Sequence, residues 1–123
     1  MTIIEIALGG AAGAVARYLV DGWVSERTGG AFPMGTLVVN LSGTFILGLL
    51  ATLALERSVL PAVIRPPVLI GFLGAYTTFS TWMLESWRLA EQGALLGAVA
   101  NIGASVVLGL IALGAGIAIG RAL

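Results

Sequence analysis

The chain has 123 residues, of which 59% are hydrophobic and only 10% are charged, and its six arginines balance six acidic residues. A soluble domain of this size needs a more charged surface, so the composition indicates an integral membrane protein. The zero net charge argues against nucleic-acid binding. Without histidine or cysteine the chain lacks the usual general base and thiolate nucleophile, so we do not predict an enzyme.

Four long hydrophobic runs follow one another along the chain. They cover about residues 3–20, 35–55, 68–84 and 93–119, and each is close to the roughly 20 apolar residues that cross a bilayer. None of the runs alternates as a barrel strand does, so all four are predicted to be helices. We therefore predict one all-α membrane domain of four transmembrane helices, with the first run retained because it lacks the basic start of a signal peptide.

The arginines are divided almost equally between the two sides of the predicted membrane domain. Four spans place both termini on one side, together with three arginines, Arg57, Arg65 and Arg121. The other side holds Arg27 and Arg88, and Arg17 is predicted near its boundary. Because this distribution gives almost no positive-inside bias, we expect the chain to insert both ways and two oppositely inserted copies to pair.

Polar residues recur at helical spacing inside the runs. Thr36, Asn40 and Thr44 are four apart and share one face of the second run, and Asn101 and Ser105 are four apart in the fourth. An amide offers two N–H donors and one acceptor, so Asn40 either binds a neighbouring helix or contributes to a polar track. No basic residue is expected deep in the membrane, so such a track suits a small ion that enters and leaves easily.

The third run contains four hydroxyls within residues 77–81. The helix either breaks around Gly71 and Gly74 or continues through them, and the sequence leaves both alternatives open. In a broken helix, freed backbone carbonyls would suit an alkali cation. In a continuous helix, the hydroxyls would donate back to the carbonyls of the preceding turn.

Phe79 and Trp82 share a face of the third run. Their ring edges suit an anion path, or the two rings form an ordinary packing pair. Glu85, a further turn on, either ends that face, extends to the membrane interface or pairs with Arg88.

Glycines inside the runs are spaced for close helix packing. The pairs Gly9/Gly13, Gly93/Gly97 and Gly116/Gly120 each have two small residues four apart. This spacing lets helix backbones approach and gain dispersion contacts. We predict packing faces at all three pairs.

Three segments match a known pattern, and together they extend over most of the chain. They are GGAAGA at residues 9–14 followed by Arg17 and Tyr18, GTLVVN at 35–40 followed by Gly43, and GFLGAYTTFST at 71–81. With these segments in this order, the chain resembles the Fluc (CrcB) family of bacterial fluoride channels. The resemblance implies passive fluoride export across the bacterial inner membrane by an antiparallel, dual-topology homodimer with two pores and a third helix broken in mid-membrane.

The resemblance also implies roles for individual residues. Asn40 would coordinate fluoride, Phe79 would be the first ring of a phenylalanine box, and Arg17 would lie near an aqueous vestibule. The polar track and its ends would include Thr36, Ser80, Thr81, Glu85 and Ser105. A structural sodium ion at the dimer centre would be held by backbone carbonyls at Gly74 and Thr77.

Two positions depart from the family pattern. Trp82 stands where a second phenylalanine is usual, and its indole adds an N–H donor beside the pathway. Asn101 stands where a tyrosine is common, although an amide also donates hydrogen bonds.

Two other functions are compatible with four short-looped spans. A small proton-coupled multidrug-type exporter needs a membrane-embedded carboxylate, but the two that are available, Glu5 and Glu85, lie near the ends of runs. A membrane scaffold without transport would use the glycine faces and leave the polar stripes unexplained.

Overall fold

The computed structural model describes all 123 residues and contains helices but no strands. Helix α1 spans Thr2–Thr28, α2 spans Met34–Leu55 and α5 spans Leu95–Ala122. The third span consists of a π-helical segment at Pro66–Phe72, a short helix α3 at Leu73–Tyr76 and helix α4 at Phe79–Glu91. All four spans are long and apolar enough to cross a membrane, which confirms the prediction of an all-helical, four-span membrane protein.

Several helix ends differ from the predicted ends of the hydrophobic runs. Helix α1 continues to Thr28, because the charged residues after position 20 end the apolar run without breaking the backbone hydrogen bonds. It stops where Gly29 adopts the left-handed conformation at φ 80°. Helix α5 begins at Leu95, because Gly93 also has φ 80° and belongs to the preceding turn. The third span is longer than predicted at its far end, since α4 runs to Glu91.

Glycines hold α1 against the beginning of the third span. A Cβ atom on Gly9 would collide with the carbonyl of Pro67, and one on Gly13 would collide with the carbonyl of Phe72. Gly71 approaches the α1 backbone in the same way from the other side. Residues later in α1 contact residues later in the third span, so the two segments run parallel to each other.

Glycines also set the contact between α2 and α5. A Cβ atom on Gly116 would collide with the carbonyl of Phe45, and one on Gly120 would meet the side chain of Thr52. The prediction of a third packing pair at Gly93 and Gly97 is wrong. Gly93 faces open space in the turn before α5, and Gly97, in the first turn of α5, makes only ordinary contacts at 3.7 Å or more.

The third span loses its helical conformation at two residues. Thr77 (φ −80°, ψ 155°) and Thr78 (φ −145°, ψ 119°) are extended, and they separate α3 from α4. The hydroxyl oxygen of Thr78 then accepts the N–H of Thr81 at 3.3 Å and caps the first turn of α4. We call residues 77 and 78 the interruption. The direction of the backbone groups around it determines the geometry of the site.

The ends of α2 and α5 meet on one side of the molecule. Arg121 donates two hydrogen bonds to the carboxylate of Glu56, at 2.8 and 2.9 Å, and Arg57 donates to the Arg121 carbonyl at 2.8 Å. The hydrogen bond from Arg121 lowers the pKa of Glu56, so this carboxyl is ionised at neutral pH. Both side chains are exposed, and such pairs stabilise a fold only weakly.

Candidate functional site

The side chain of Asn40 replaces the missing helical hydrogen bonds of the interruption. Its carbonyl oxygen accepts the backbone N–H of Thr78 at 2.8 Å, and its amide nitrogen donates to the Thr78 carbonyl at 3.1 Å. These two bonds join α2 to the third span. An amide nitrogen carries two hydrogens, so one N–H of Asn40 remains outside this pair.

Arg17 makes the second side-chain contact with this part of the third span. Its Nε donates to the carbonyl of Ala75 at 3.1 Å, which in a continuous helix would accept the N–H of Phe79. Arg17 lies eleven positions before Thr28, the end of α1, which is roughly 16 Å along the helix axis. The structure therefore places this half-buried arginine level with the interruption, and not near the boundary where the charge count had put it.

The carbonyls of Gly74 and Thr77 lose their helical donors at the interruption, as that of Ala75 does. The N–H of Thr78, which would reach the Gly74 carbonyl in a continuous helix, donates to Asn40 instead. No backbone N–H donates to the carbonyl of Thr77, because the N–H of Thr81 is bound to the Thr78 hydroxyl. Gly74 is exposed on the surface of the single chain, and a Cβ at this position would meet no atom within 4 Å.

A groove of about 300 Å³ joins polar residues of three spans. Asn40 and Thr44 of α2, Trp82 of α4 and Ser105 of α5 line it, with apolar residues of α5 along the remaining wall. The Thr44 hydroxyl donates to the backbone carbonyl of Asn40, whereas the Ser105 hydroxyl is buried without any hydrogen-bond partner. An adjoining groove of about 220 Å³ connects Asn40 and Trp82 with Phe79 and the interruption. No charged side chain lines either groove.

The two aromatic residues beside these grooves are in edge-to-face contact. The ring centroids of Phe79 and Trp82 lie 5.6 Å apart with an interplanar angle of 75°. Phe79 is 70% exposed and Ser80 is also exposed, so both face away from their own chain. Aromatic edges carry partial positive charge, which makes this corner compatible with an anion.

Thr36 and Thr81 occupy a different space from Asn40 and Ser105. They line a polar cavity of about 10 Å³ together with Arg17, Asp21 and the interruption residue Thr78. This volume is about that of one water molecule. The predicted polar stripe of α2 is thus divided between a small cavity, at Thr36, and the groove, at Asn40 and Thr44. Sequence reasoning missed Asp21, which follows the first apolar run and gave no periodic signal.

Asn101 lies outside both grooves and is completely buried. Its amide nitrogen donates to the Ser86 hydroxyl at 2.8 Å, and its backbone carbonyl accepts the indole N–H of Trp82 at 3.1 Å. Its side-chain oxygen has no partner. Sequence reasoning also missed Ser86, although it lies four residues after Trp82 and so shares its helix face.

Glu85 lies towards the far end of the third span. It lines an open groove of about 180 Å³ with Arg88 and residues of the α1–α2 loop. The alternative of a salt bridge with Arg88 is wrong, since the one ion pair in the chain joins Arg121 and Glu56. One carboxylate oxygen of Glu85 is buried without a partner, and the side chain is near Thr36. Glu85 therefore lies beside Thr36, which lines the small cavity, and does not line the groove beside Asn40.

Comparison with known proteins identifies relatives along the whole chain. A family model described as CrcB-like protein, Camphor Resistance (CrcB), matches residues 4–117. The chain is 48% identical over 123 residues to the fluoride-specific ion channel FluC of Methylococcus capsulatus, and it spans 54% of that longer protein. It is also 48% identical to the fluoride-specific ion channels FluC of Hahella chejuensis, over 119 residues, and Magnetococcus marinus, over 121 residues. The matches cover 97% and 98% of this chain and 94% and 98% of those two proteins.

Proposed function

Since the chain belongs to the CrcB-like family, we propose that it forms a fluoride-selective ion channel, which lets cytoplasmic fluoride leave passively and so relieves fluoride toxicity. The four apolar spans make it a multi-pass membrane protein, and a bacterial ion channel of this kind belongs in the inner membrane. A channel provides a path and performs no bond chemistry. Neither Glu5 nor Glu85 lines the groove beside Asn40, which argues against the proton-coupled exporter.

The groove shared by Asn40, Trp82 and Ser105 is the observation that best supports this function. Asn40 keeps one N–H outside its bonds to Thr78, Ser105 has a hydroxyl without a partner, and the aromatic pair of Phe79 and Trp82 lies beside them. Such donors favour a small anion with high charge density, and no arginine in the groove binds it tightly. Conduction requires that an ion bind well enough to enter and weakly enough to leave.

We expect the purified chain to release fluoride from liposomes. Vesicles loaded with potassium fluoride and treated with valinomycin should raise the signal of an external fluoride electrode, whereas vesicles loaded with chloride should give no matching chloride signal. Protein-free liposomes are the control. Release of both anions at equal rates would contradict selectivity, and release of neither would contradict the channel.

We propose that the working unit is an antiparallel homodimer whose third spans cross the membrane as broken helices. The exposed face of the interruption supports this arrangement, because Gly74, Phe79 and Ser80 would otherwise present polar backbone and hydroxyl groups to lipid. The nearly equal arginine distribution allows both orientations. Reporter domains fused to the C-terminus should be detected on both sides of the membrane in comparable amounts, and detection on a single side would exclude dual topology.

We further propose that a sodium ion lies between the two copies, on the carbonyl oxygens of Gly74 and Thr77. Both oxygens lack a helical donor, and hard carbonyl oxygens suit an alkali cation. A second copy would double the number of oxygens around the ion.

Replacement of sodium by N-methyl-D-glucamine should therefore destabilise the dimer. We expect a melting midpoint lower by several degrees in the sodium-free detergent solution, since a ligand that binds only the assembled protein stabilises it. Return of sodium, but not of the organic cation, should restore the midpoint. An identical midpoint in both solutions would contradict the sodium site.

A further inference from the structure

Three hydrogen bonds form a closed ring between α4 and α5. The indole N–H of Trp82 donates to the Asn101 carbonyl at 3.1 Å, and the Asn101 side-chain amide donates to the Ser86 hydroxyl at 2.8 Å. The Ser86 hydroxyl in turn donates to the Trp82 carbonyl at 2.8 Å. We call Trp82, Ser86 and Asn101 the Trp82 network. Asn101 takes part through both its backbone carbonyl and its side-chain amide, so the network holds α4 and α5 at one relative height.

The Trp82 network is shielded from solvent on the α5 side. Asn101 is 0% exposed and Ser86 is 4% exposed, so water does not compete for their hydrogen bonds. Trp82 and Ser86 are four residues apart and lie on one face of α4, directly against α5. The indole nitrogen is therefore bound to a residue that lines neither groove.

The remainder of the indole faces the proposed ion path. Trp82 lines both the groove shared with Ser105 and the adjoining groove shared with Phe79. Its edge-to-face contact with Phe79 limits rotation of the ring from the other side. Because the nitrogen is bound to Asn101, the atoms that border the grooves are ring carbons.

We propose that Ser86 and Asn101 are positioning residues that hold Trp82 so that the ion path meets the carbon edge of the indole and not its N–H. This inference rests on the proposed fluoride channel. An indole N–H is a full hydrogen-bond donor, whereas aromatic C–H edges attract anions more weakly. Because the N–H is bound inside the protein, the ion binds at this point of the path weakly enough to leave.

Nuclear magnetic resonance of the three indole N–H groups tests the network in the unaltered protein. With the Trp82 signal assigned from its loss in Trp82→Phe, we expect it to exchange with D2O more slowly than the signal of Trp23, which is 59% exposed. We also expect sodium fluoride to move it no more than sodium chloride does. A Trp82 signal that shifts and saturates with fluoride alone would overturn the proposal, because the N–H would then bind the ion.

A pair of substitutions tests the positioning role in flux. Ser86→Ala should speed exchange of the Trp82 N–H about tenfold and lower fluoride flux about three- to tenfold, which corresponds to one hydrogen bond. In a Trp82→Phe background Ser86→Ala should lower flux no further, since there is no N–H left to hold. Equal losses in both backgrounds would overturn the proposal.

Thr52→Val is the matched control for loss of a hydroxyl. Thr52 is 4% exposed, and its hydroxyl donates to a carbonyl four residues earlier, as that of Ser86 does, but on α2 and outside the Trp82 network. We expect flux and Trp82 exchange to stay at the parental level. If the parental chain conducts no fluoride, the proposed function fails, while the exchange rate of the Trp82 N–H still decides whether the network holds it.

Discussion

Substitution of Asn40 by aspartate should abolish fluoride flux. The change keeps the oxygen that accepts the Thr78 N–H but replaces the donating nitrogen, which lies 3.1 Å from the Thr78 carbonyl, with a second oxygen. Two acceptors then face each other, and the groove loses its amide donor. The carboxylate also repels a fluoride ion at the same point of the path. The loss of one charge-assisted contact and its replacement by repulsion should raise the free-energy barrier to fluoride passage by roughly 3–5 kcal/mol. This corresponds to a flux lower by more than about a hundredfold.

The measurement is fluoride efflux from liposomes that contain equal amounts of protein. Ser58→Asp is the control for added negative charge, because Ser58 is exposed in the α2–π-segment connection and has a positive φ of 52° that aspartate tolerates. Its flux should match that of the parental chain. Parental flux in Asn40→Asp would show that the ion does not pass this amide.

The sequence predicted the four spans because hydropathy is a property of each span alone. Hydropathy does not mark where a helix stops. The end of α1 at Thr28 was therefore missed, because the left-handed conformation of Gly29 ends this helix, and not a loss of apolar residues. The single-chain packing faces at Gly9/Gly13 and Gly116/Gly120 were also predictable. The third pair failed because spacing alone does not show that a second helix lies opposite.

The site was predictable as a set of residues and less so as an arrangement. Spacing by four placed Thr36, Asn40 and Thr44 on one face, yet Thr36 lies in the small cavity and the Thr44 hydroxyl is bound to a backbone carbonyl. Helical spacing determines which side chains share a face, but not which groups of another span they meet. The indole N–H of Trp82 illustrates the same limit, since its partner is a backbone carbonyl of α5 that no sequence motif marks.

The interruption depends on partners that lie far away in the sequence. Local residues left a broken and a continuous third helix equally supported, because hydroxyls bond to helix carbonyls in both cases. The distinguishing groups are Asn40, 38 residues before Thr78, and Arg17, 58 residues before Ala75. Each satisfies a backbone group that an extended conformation leaves without its helical partner. The conformation of residues 77 and 78 is therefore set by tertiary contacts and not by local propensity.

Substitution of Arg17 by leucine should consequently impair both the fold and the flux. The Ala75 carbonyl would lose the N–H that it accepts at 3.1 Å, and no other donor in the chain replaces it. An unsatisfied buried carbonyl costs roughly 1–3 kcal/mol, so we expect a lower melting midpoint. Since the interruption also positions Thr78 against Asn40, fluoride flux should fall by about tenfold or more. Melting of the purified protein and liposome efflux measure the two effects separately.

Arg27→Leu is the matched control on the same helix. Arg27 also donates to a backbone carbonyl, that of Trp23 at 3.1 Å, and lies 4.0 Å from the Trp23 ring, but it is exposed and remote from the interruption. We expect near-parental flux from this variant. Arg17→Lys separates charge from geometry, because a flexible ammonium keeps the charge but not the planar N–H donors of the guanidinium. If Arg17→Lys conducts as well as the parental chain while Arg17→Leu does not, attraction of the anion by charge, and not support of the interruption, is the role of Arg17.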